Sequence, residues 1–555
     1  NLTIEPGVVI QVASGKGLSF DGACNPFIAV GNSTDHIVFE GQNNGTWKGL
    51  AFTGACSATD DRHMMSYVDF ADTTDAAIAA GSRHGATPSS NANVGNFTMD
   101  HITFTDVGEA FAHGSGQGTV LTLSDFEVTN AANACFNFAE DTIATLTDGE
   151  MNGCNDDGTS WGGAVVNYPG STAGALIMEN VDISNSQVNL IDVDLATVWI
   201  SNVTGSTSSA QSGTVLGAAG DGTGSSLYIY NMDADGYSSG SINSLDSISM
   251  NTVDWGSADI AIAPGGTSST AAGPAGSNAV FDTFTSGDLT MARMAPMMDN
   301  IDISALTVSG NAPGNDAIEG SSWSTEGISI NGCGYKVLAS DVSTDWVSGS
   351  CSDPSAPNTI ILSDVTGTYT GTQSAIYARN SDITIGEGTW TMPTSFDKLA
   401  KASTDAMIVL IAVSQDGTDC DGSGACDTSS GSSGDIYFGG LATVKVYKLL
   451  GSGVKSYRSG HTVQATVVDA GAGLFTVGTH RTDSNGEASV WVIAVRDNGD
   501  TYADHNLAAW GPAGQNETLV ANTWYPGSFE IGDTIELRLE PAPVALNGTN
   551  MDCSY

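Results

Sequence analysis

Met99-Asp-His-Ile-Thr-Phe-Thr-Asp106, Leu123-Ser-Asp-Phe-Glu-Val-Thr-Asn130 and Met178-Glu-Asn-Val-Asp-Ile-Ser-Asn185 are three copies of one phrase. Each reads as a short alternating strand, a polar break and a second short strand. Later copies are Ile200-Ser-Asn-Val-Thr204, Ile229-Tyr-Asn-Met-Asp-Ala-Asp235, Met250-Asn-Thr-Val-Asp-Trp255 and Leu362-Ser-Asp-Val-Thr366. The apolar anchors Ile102, Phe126, Val181, Val203, Met232 and Val253 are separated by 24, 55, 22, 29 and 21 residues. The step of 55 holds one further copy around Met151. Strand-like alternation recurring every 20–30 residues or so predicts a solenoid of stacked β-rungs.

Composition agrees with many strands joined by tight turns. The chain has 555 residues, 68 of them Gly, and 40% hydrophobic content, enough for a continuous core. With 62 acidic and 16 basic residues the net charge is −46, which repels nucleic acid and anionic membranes and suits a salty or divalent-rich medium. No Lys or Arg lies between Arg83 and Arg293, so that stretch has no cationic side chain to grip an acidic sugar. No apolar run has membrane-spanning length; the longest, Ala406-Met-Ile-Val-Leu-Ile-Ala-Val413, suits a buried strand. Strand signal begins at residue 2 with no basic leader, so the chain reads as a processed product or a fragment.

Leu2-Thr-Ile-Glu-Pro-Gly-Val-Val-Ile10, Gly17-Leu-Ser-Phe-Asp-Gly22, His36-Ile-Val-Phe-Glu-Gly41 and Trp47-Lys-Gly-Leu-Ala-Phe-Thr-Gly54 follow in order. This order resembles the right-handed parallel β-helix repeats of secreted and cell-surface proteins, the pectin-lyase-like fold. The resemblance covers residues 1–54 and implies an all-β, right-handed parallel β-helix over 1–413. That fold hosts lyases, hydrolases, adhesins and structural shells, so it leaves function open. Residues 414–435 read as an acidic, Gly/Ser-rich connector. From 436 to 541 the strands lengthen, and Thr482-Asp-Ser-Asn-Gly-Glu-Ala-Ser-Val490 resembles the turn of transthyretin-like or carboxypeptidase-regulatory-like domains. That implies a small Ig-like β-sandwich; 542–555 reads as a tail.

The cysteines suggest four bridges, Cys24–Cys56, Cys135–Cys154, Cys333–Cys351 and Cys420–Cys426, with Cys553 left over. Disulfides imply an oxidising, extracellular setting. Sequons at Asn1, Asn32, Asn44, Asn96, Asn202, Asn516 and Asn547 allow N-linked glycans.

The candidate cofactor is Ca²⁺, at Asp419-Cys-Asp-Gly-Ser-Gly-Ala-Cys-Asp427. Asp419, Asp421, Ser423 and Asp427 take positions 1, 3, 5 and 9 of a calcium loop, with Asp416 nearby. Position 12 is Ser430, so the usual bidentate Glu is missing, and Cys420–Cys426 would staple the loop without metal. No catalytic constellation emerges. Asn155-Asp-Asp157 resembles the acidic cluster of polygalacturonases, but the Gly-His-Gly and Arg-x-Lys of that family do not follow it. Pectate-lyase chemistry needs an Arg or Lys base, which the same stretch lacks. Trp161, Trp199, Trp255 and Trp323 could stack on sugars, and core packing is the reading preferred for them.

The sequence therefore suggests an extracellular, non-enzymatic structural subunit of a coat, sheath or filament, built head-to-tail from copies of itself. A first rung without a capping helix motivates that expectation. A glycan- or surface-binding adhesin and a polysaccharide lyase or glycoside hydrolase are the alternatives.

Overall fold

The computed structural model describes residues 2–21, 25–53, 62–81, 94–113, 119–138, 142–154, 164–168, 174–186, 189–194, 197–207, 214–219, 226–243, 245, 247–263, 275–292, 295–309, 317–331, 358–369, 374–379, 381–431, 433–450, 453–469, 473–501, 505–510, 531–532 and 534–538. The chain forms two compact units, Asn1–Leu338 with Asp345–Asn358, and Ala339–Thr344 with Thr359–Tyr555.

In the first unit every strand pair among the described residues is parallel, and each strand pairs with its counterpart one coil away. Arg62–Ala71, Asn96–Val107, Val120–Ala131, Ile143–Cys154, Ala175–Ser186, Thr197–Thr207 and Ser226–Asp235 form one continuous ladder. Ala76–Ala80, Glu109–His113, Phe136–Asn137, Ala164–Tyr168 and Asn189–Asp194 form a second. This is a parallel β-helix. The extra copy expected around Met151 is the strand Ile143–Cys154, in which Met151 lies opposite Val128 and Ile183. Its anchor position is Gly149, because the Phe126 ring fills the space a side chain would need.

The long strands are bent, and the bend explains the repeat. In Asn96–Val107 the inward residues are Phe97, Met99, Ile102, Phe104 and Val107, so the spacing runs 2, 3, 2, 3. A flat strand keeps a spacing of two. Each step of three contains a residue in the left-handed region, His101 (φ 52°) and Asp106 (φ 51°). Val120–Ala131 repeats the pattern with Asp125 and Asn130, and Ala175–Ser186 with Asn180 and Asn185. One left-handed residue turns the chain through a corner and restores the inward phase. In the coil before Arg62 the same two walls are separate strands, Phe27–Val30 and Ile37–Gly41. From Arg62–Ala71 onward they fuse across a single corner residue, Tyr67 (φ 50°).

Asn and Asp tolerate this conformation better than other side chains, and here they also bond along the stack. Asn180 Nδ2 donates to Asp148 Oδ1 at 2.8 Å, Asn202 to Asn180 at 2.9 Å and Asn231 to Asn202 at 2.8 Å. Inside, rings stack rung on rung: Phe39 on Phe70 at 5.2 Å and Phe70 on Phe104 at 5.4 Å, both pairs nearly parallel.

The second unit opens with further parallel coils. Ser381–Gly386 pairs with Met407–Ile411, which pairs with the start of Asp435–Leu449. The polar stretch 414–435 carries ladder strands of its own. Ser414–Gln415 and Thr428–Ser430 pair in parallel with the preceding coil, and Ser414–Gln415 forms a hairpin with Thr418–Asp419. Asp435–Leu449 then runs on to pair antiparallel with Glu487–Arg496 and parallel with Thr534–Arg538. A second sheet places Thr462–Asp469 between Gly473–Arg481 and His505–Trp510. Val463 of this sheet shares one buried cluster with Val444, Val446, Val490, Val492, Ile535 and Leu537 of the other. In the Thr482–Gly486 turn, Asp483 Oδ1 accepts the N–H groups of Asn485 (2.8 Å) and Glu487 (2.9 Å). Trp491 lies over Gly386, whose lack of a side chain makes the room, and packs with Val409, Ile411, Tyr437 and Ile493.

Asn180→Ala places a Cβ-bearing residue without a ladder amide at a corner, and is expected to cost about 1–2 kcal/mol. Asn180→Gly, which accepts the left-handed region freely, should cost less. Denaturant unfolding midpoints compare the two. His480 packs edge-on against Trp491 at 4.8 Å, and burial lowers its pKa to about 4. The unfolded chain, titrating near 6.5, then binds more protons than the folded one between those values. Stability should fall as pH drops from 6.5 to 4, by roughly 3 kcal/mol at most. Burial raises Asp382 to about 6, so its contribution has the opposite sign: full below 3.8 and lost as pH rises through 6. Unfolding midpoints against pH should show a shallower acid-side loss in His480→Gln and a gain at pH 7 in Asp382→Asn.

Candidate functional site

Because corners fix the phase, the outward residues also stack into columns. On the first segment of each bent strand one column runs Thr98, Thr122, Thr145, Ile177, Trp199, Tyr228, Ser249, Val280 and Met297. A threonine ladder thus gives way to an apolar and aromatic stretch on the outer face. The column two residues further on reads Glu179, Ser201, Tyr230, Asn251, Asp282 and Asp299 over the same coils. Trp199 is 46% exposed and Tyr230 55% exposed. The Trp199 and Tyr228 rings lie 5.5 Å apart at 40°. Large aromatic side chains left in water on a flat sheet mark a contact surface.

Polar groups border the rings. Asn251 Nδ2 and Asn300 Nδ2 both donate to Asp282, at 3.1 and 2.9 Å. The amide ladder of Asn180, Asn202 and Asn231 forms the corner alongside. Beyond that corner an acidic column runs Glu127, Glu150, Asp182, Thr204, Asp233, Asp254, Thr285 and Asp302. The Thr204 hydroxyl donates to Asp182. Partial burial, then the charges of Asp235 and Asp254, hold the Asp233 carboxyl above its usual range. The face therefore combines aromatic planes with side-chain acceptors and amides. These are the groups that stack on the C–H faces of a sugar ring and hydrogen-bond its hydroxyls.

Of the tryptophans singled out in the sequence, Trp255 is fully buried in the core, as preferred, whereas Trp199 points outward. Trp161, and the side chain of Trp323, lie outside the described residues. Tyr228 and Tyr230 escaped sequence reasoning, although they flank the inward Ile229 and alternation puts them outside.

Cys135–Cys154 and Cys420–Cys426 are disulfide-bonded. Cys24, Cys56, Cys333, Cys351 and Cys553 lie outside the described residues, as does Asn155-Asp-Asp157. In the 416–427 loop no three of the carboxylates of Asp416, Asp419, Asp421 and Asp427 converge within 4.8 Å. Each of three has another partner. Asp416 accepts the Met392 N–H at 3.0 Å, and Asp427 lies 3.6 Å from Lys398. Asp421 accepts from the Ser423 hydroxyl and N–H, which hold it below its usual range. The staple and the hairpin shape this loop.

Among the sequons, Asn32 and Asn44 sit exposed in turns, Asn32 accepting the N–H groups of Thr34 and Asp35. Asn96 Oδ1 accepts the Val120 N–H at 3.3 Å. Asn202 is a middle rung of the amide ladder. Asn1, Asn516 and Asn547 lie outside the described residues.

No family model matches this sequence, and no curated protein does. Among solved structures, the chain is similar to the tailspike protein of E. coli bacteriophage HK620 in complex with a pentasaccharide. The identity is 9%, over 91% of this chain and 86% of that chain, with a TM-score of 0.25. A double mutant of that tailspike, also with pentasaccharide, covers the same shares at 9% identity and a TM-score of 0.22. The fold rests on the ladder pairing, and the site on its own geometry.

Proposed function

We propose that this is an extracellular parallel β-helix protein that binds neutral or amino-bearing saccharide chains along the Trp199, Tyr228 and Tyr230 face. The exposure of Trp199 and Tyr230 on neighbouring rungs, beside a border of Asp and Asn side chains, carries the reading. The disulfides Cys135–Cys154 and Cys420–Cys426 support an oxidising compartment. Charge selects the ligand class. The acidic column and the stretch without Lys or Arg between Arg83 and Arg293 disfavour uronates and sulfated sugars and leave neutral or cationic ones. An open face engages a chain from the side, which suits adhesion to a glycan-coated surface.

A hydrolytic reading is favoured by one observation. Asp233 lies opposite Asp254 on the next rung, and its carboxyl is held above the usual range. Adjacent strands are about 4.8 Å apart, so the two carboxylates leave the sheet side by side. Assembly into a coat or filament, the reading suggested by the sequence, competes with both.

Glycan-array screening followed by calorimetry on the best neutral ligand tests the proposal. Trp199→Ala should weaken binding by about tenfold or more, since truncating a Trp anchor at the centre of a contact surface commonly costs about 2 kcal/mol or more. The unfolding midpoint should stay put, because the side chain is outward. Equal affinity in native protein and Trp199→Ala would remove this face as the site. Product release blocked by Asp254→Asn would favour the hydrolase. Regular polymers in electron micrographs of the native material, with no glycan bound, would favour assembly.

A further inference from the structure

We propose that Asp100, His101 and Asp125 form a binding site for a first-row transition ion such as Zn²⁺, apart from the saccharide-binding face. His101 and Asp125 occupy consecutive places in the corner column, on neighbouring rungs. Further along that column, amides of Asn180, Asn202 and Asn231 each donate to the rung before. The donor chain ends at Asp148, because a carboxylate only accepts. Asp125, next in line, is another acceptor, and beyond it stands His101. A cation at this point completes the stack where the amides stop.

The geometry is compatible. His101 Nδ1 lies 2.9 Å from Asp100 Oδ2 and 3.9 Å from Asp125 Oδ2. One donor atom from each residue falls within 4.8 Å of the other two, the one such group of His, Cys, Asp or Glu among the described residues. Ligands about 2.0 Å from a tetrahedral ion are roughly 3.3 Å apart, so small side-chain rotations close the set. The surroundings already hold the ligands. Tyr67 stacks on the His101 ring at 4.3 Å, and the Ser124 hydroxyl donates to Asp100 Oδ1 at 3.1 Å. Such outer partners fix ligand orientation. All three side chains are partly open to solvent, which leaves coordination positions for water. The imidazole favours ions such as Zn²⁺ over Ca²⁺ or Mg²⁺, which prefer oxygen alone. The charge of −46 concentrates cations near the surface.

The test is calorimetric titration of the full chain with Zn²⁺ in excess Ca²⁺ and Mg²⁺, which occupy the oxygen-only sites. Native protein, His101→Gln, Asp125→Asn and, as a control, His36→Gln are compared. His36 also pairs with a carboxylate, Asp69 at 3.1 Å, but is not part of a three-ligand group. The expected result is one Zn²⁺ site that weakens by at least about tenfold in His101→Gln and in Asp125→Asn, a loss that even outer-shell changes can reach. His36→Gln should match native protein. Superimposable isotherms for native protein and Asp125→Asn would overturn the site, as would equal weakening in His36→Gln. Asp125→Asn keeps a residue suited to the left-handed corner, so it remains informative if His101→Gln folds poorly.

Discussion

Every coil of the first unit must land on the previous one in register, and from Arg62 onward a residue held at positive φ at the shared corner enforces this. It converts a long strand into two short walls and resets which side chains face inward. Parallel strands leave no freedom to slip by one residue, since a slip would turn the core ladder of Phe39, Phe70 and Phe104 out into water. The inward columns are therefore mostly apolar, with a few buried polar exceptions such as His63 and Ser186. The outward columns carry no such constraint, and there the sequence varies more freely.

The two units use their outer faces differently. In the first, outward positions are mostly Thr, Ser, Asn and Asp, so the cluster of Ile177, Trp199 and Tyr228 stands out. In the second, Val409, Ile411 and Tyr437 are also apolar on the side of the coil that meets Trp491 and Ile493, and there they are buried. Gly386 and Trp491 fit only because one gives up its side chain to the other. The same apolar signal thus means a second core in one place and an open surface in the other. Burial separates them, and composition does not. Among the described residues of this second unit, Lys445 pairs with Glu487, Lys455 with Glu536 and Arg496 with Asp435.

Much of this was legible in the sequence, and the reasons for the gaps are physical. The repeated phrase announces the coil, and the gap around Met151 announces a coil whose anchor is Gly149, since the period persists when the anchor side chain is gone. The corner itself was hidden. Tyr67, His101 and Thr252 occupy it as well as Asn and Asp, and rung packing overrides their local preference. The two tryptophans differ by parity. Trp199 lies between the inward Val198 and Ile200, whereas Trp255 lies two residues after the inward Val253. That distinction was available in the sequence, but it needs the phase of each strand. The calcium spacing at 419–427 falls in a loop that the disulfide closes and that begins in a hairpin. The group formed by Asp100, His101 and Asp125 joins residues 24 apart and has no linear motif.

A crystal structure of the chain soaked with a neutral oligosaccharide that binds it in solution tests the central claim most directly. The account expects sugar rings lying over Trp199 and Tyr228, with hydroxyls bonded to the Asn and Asp side chains at the border. Ordered sugar on another face of the coil, with the Trp199 ring bare, would contradict it.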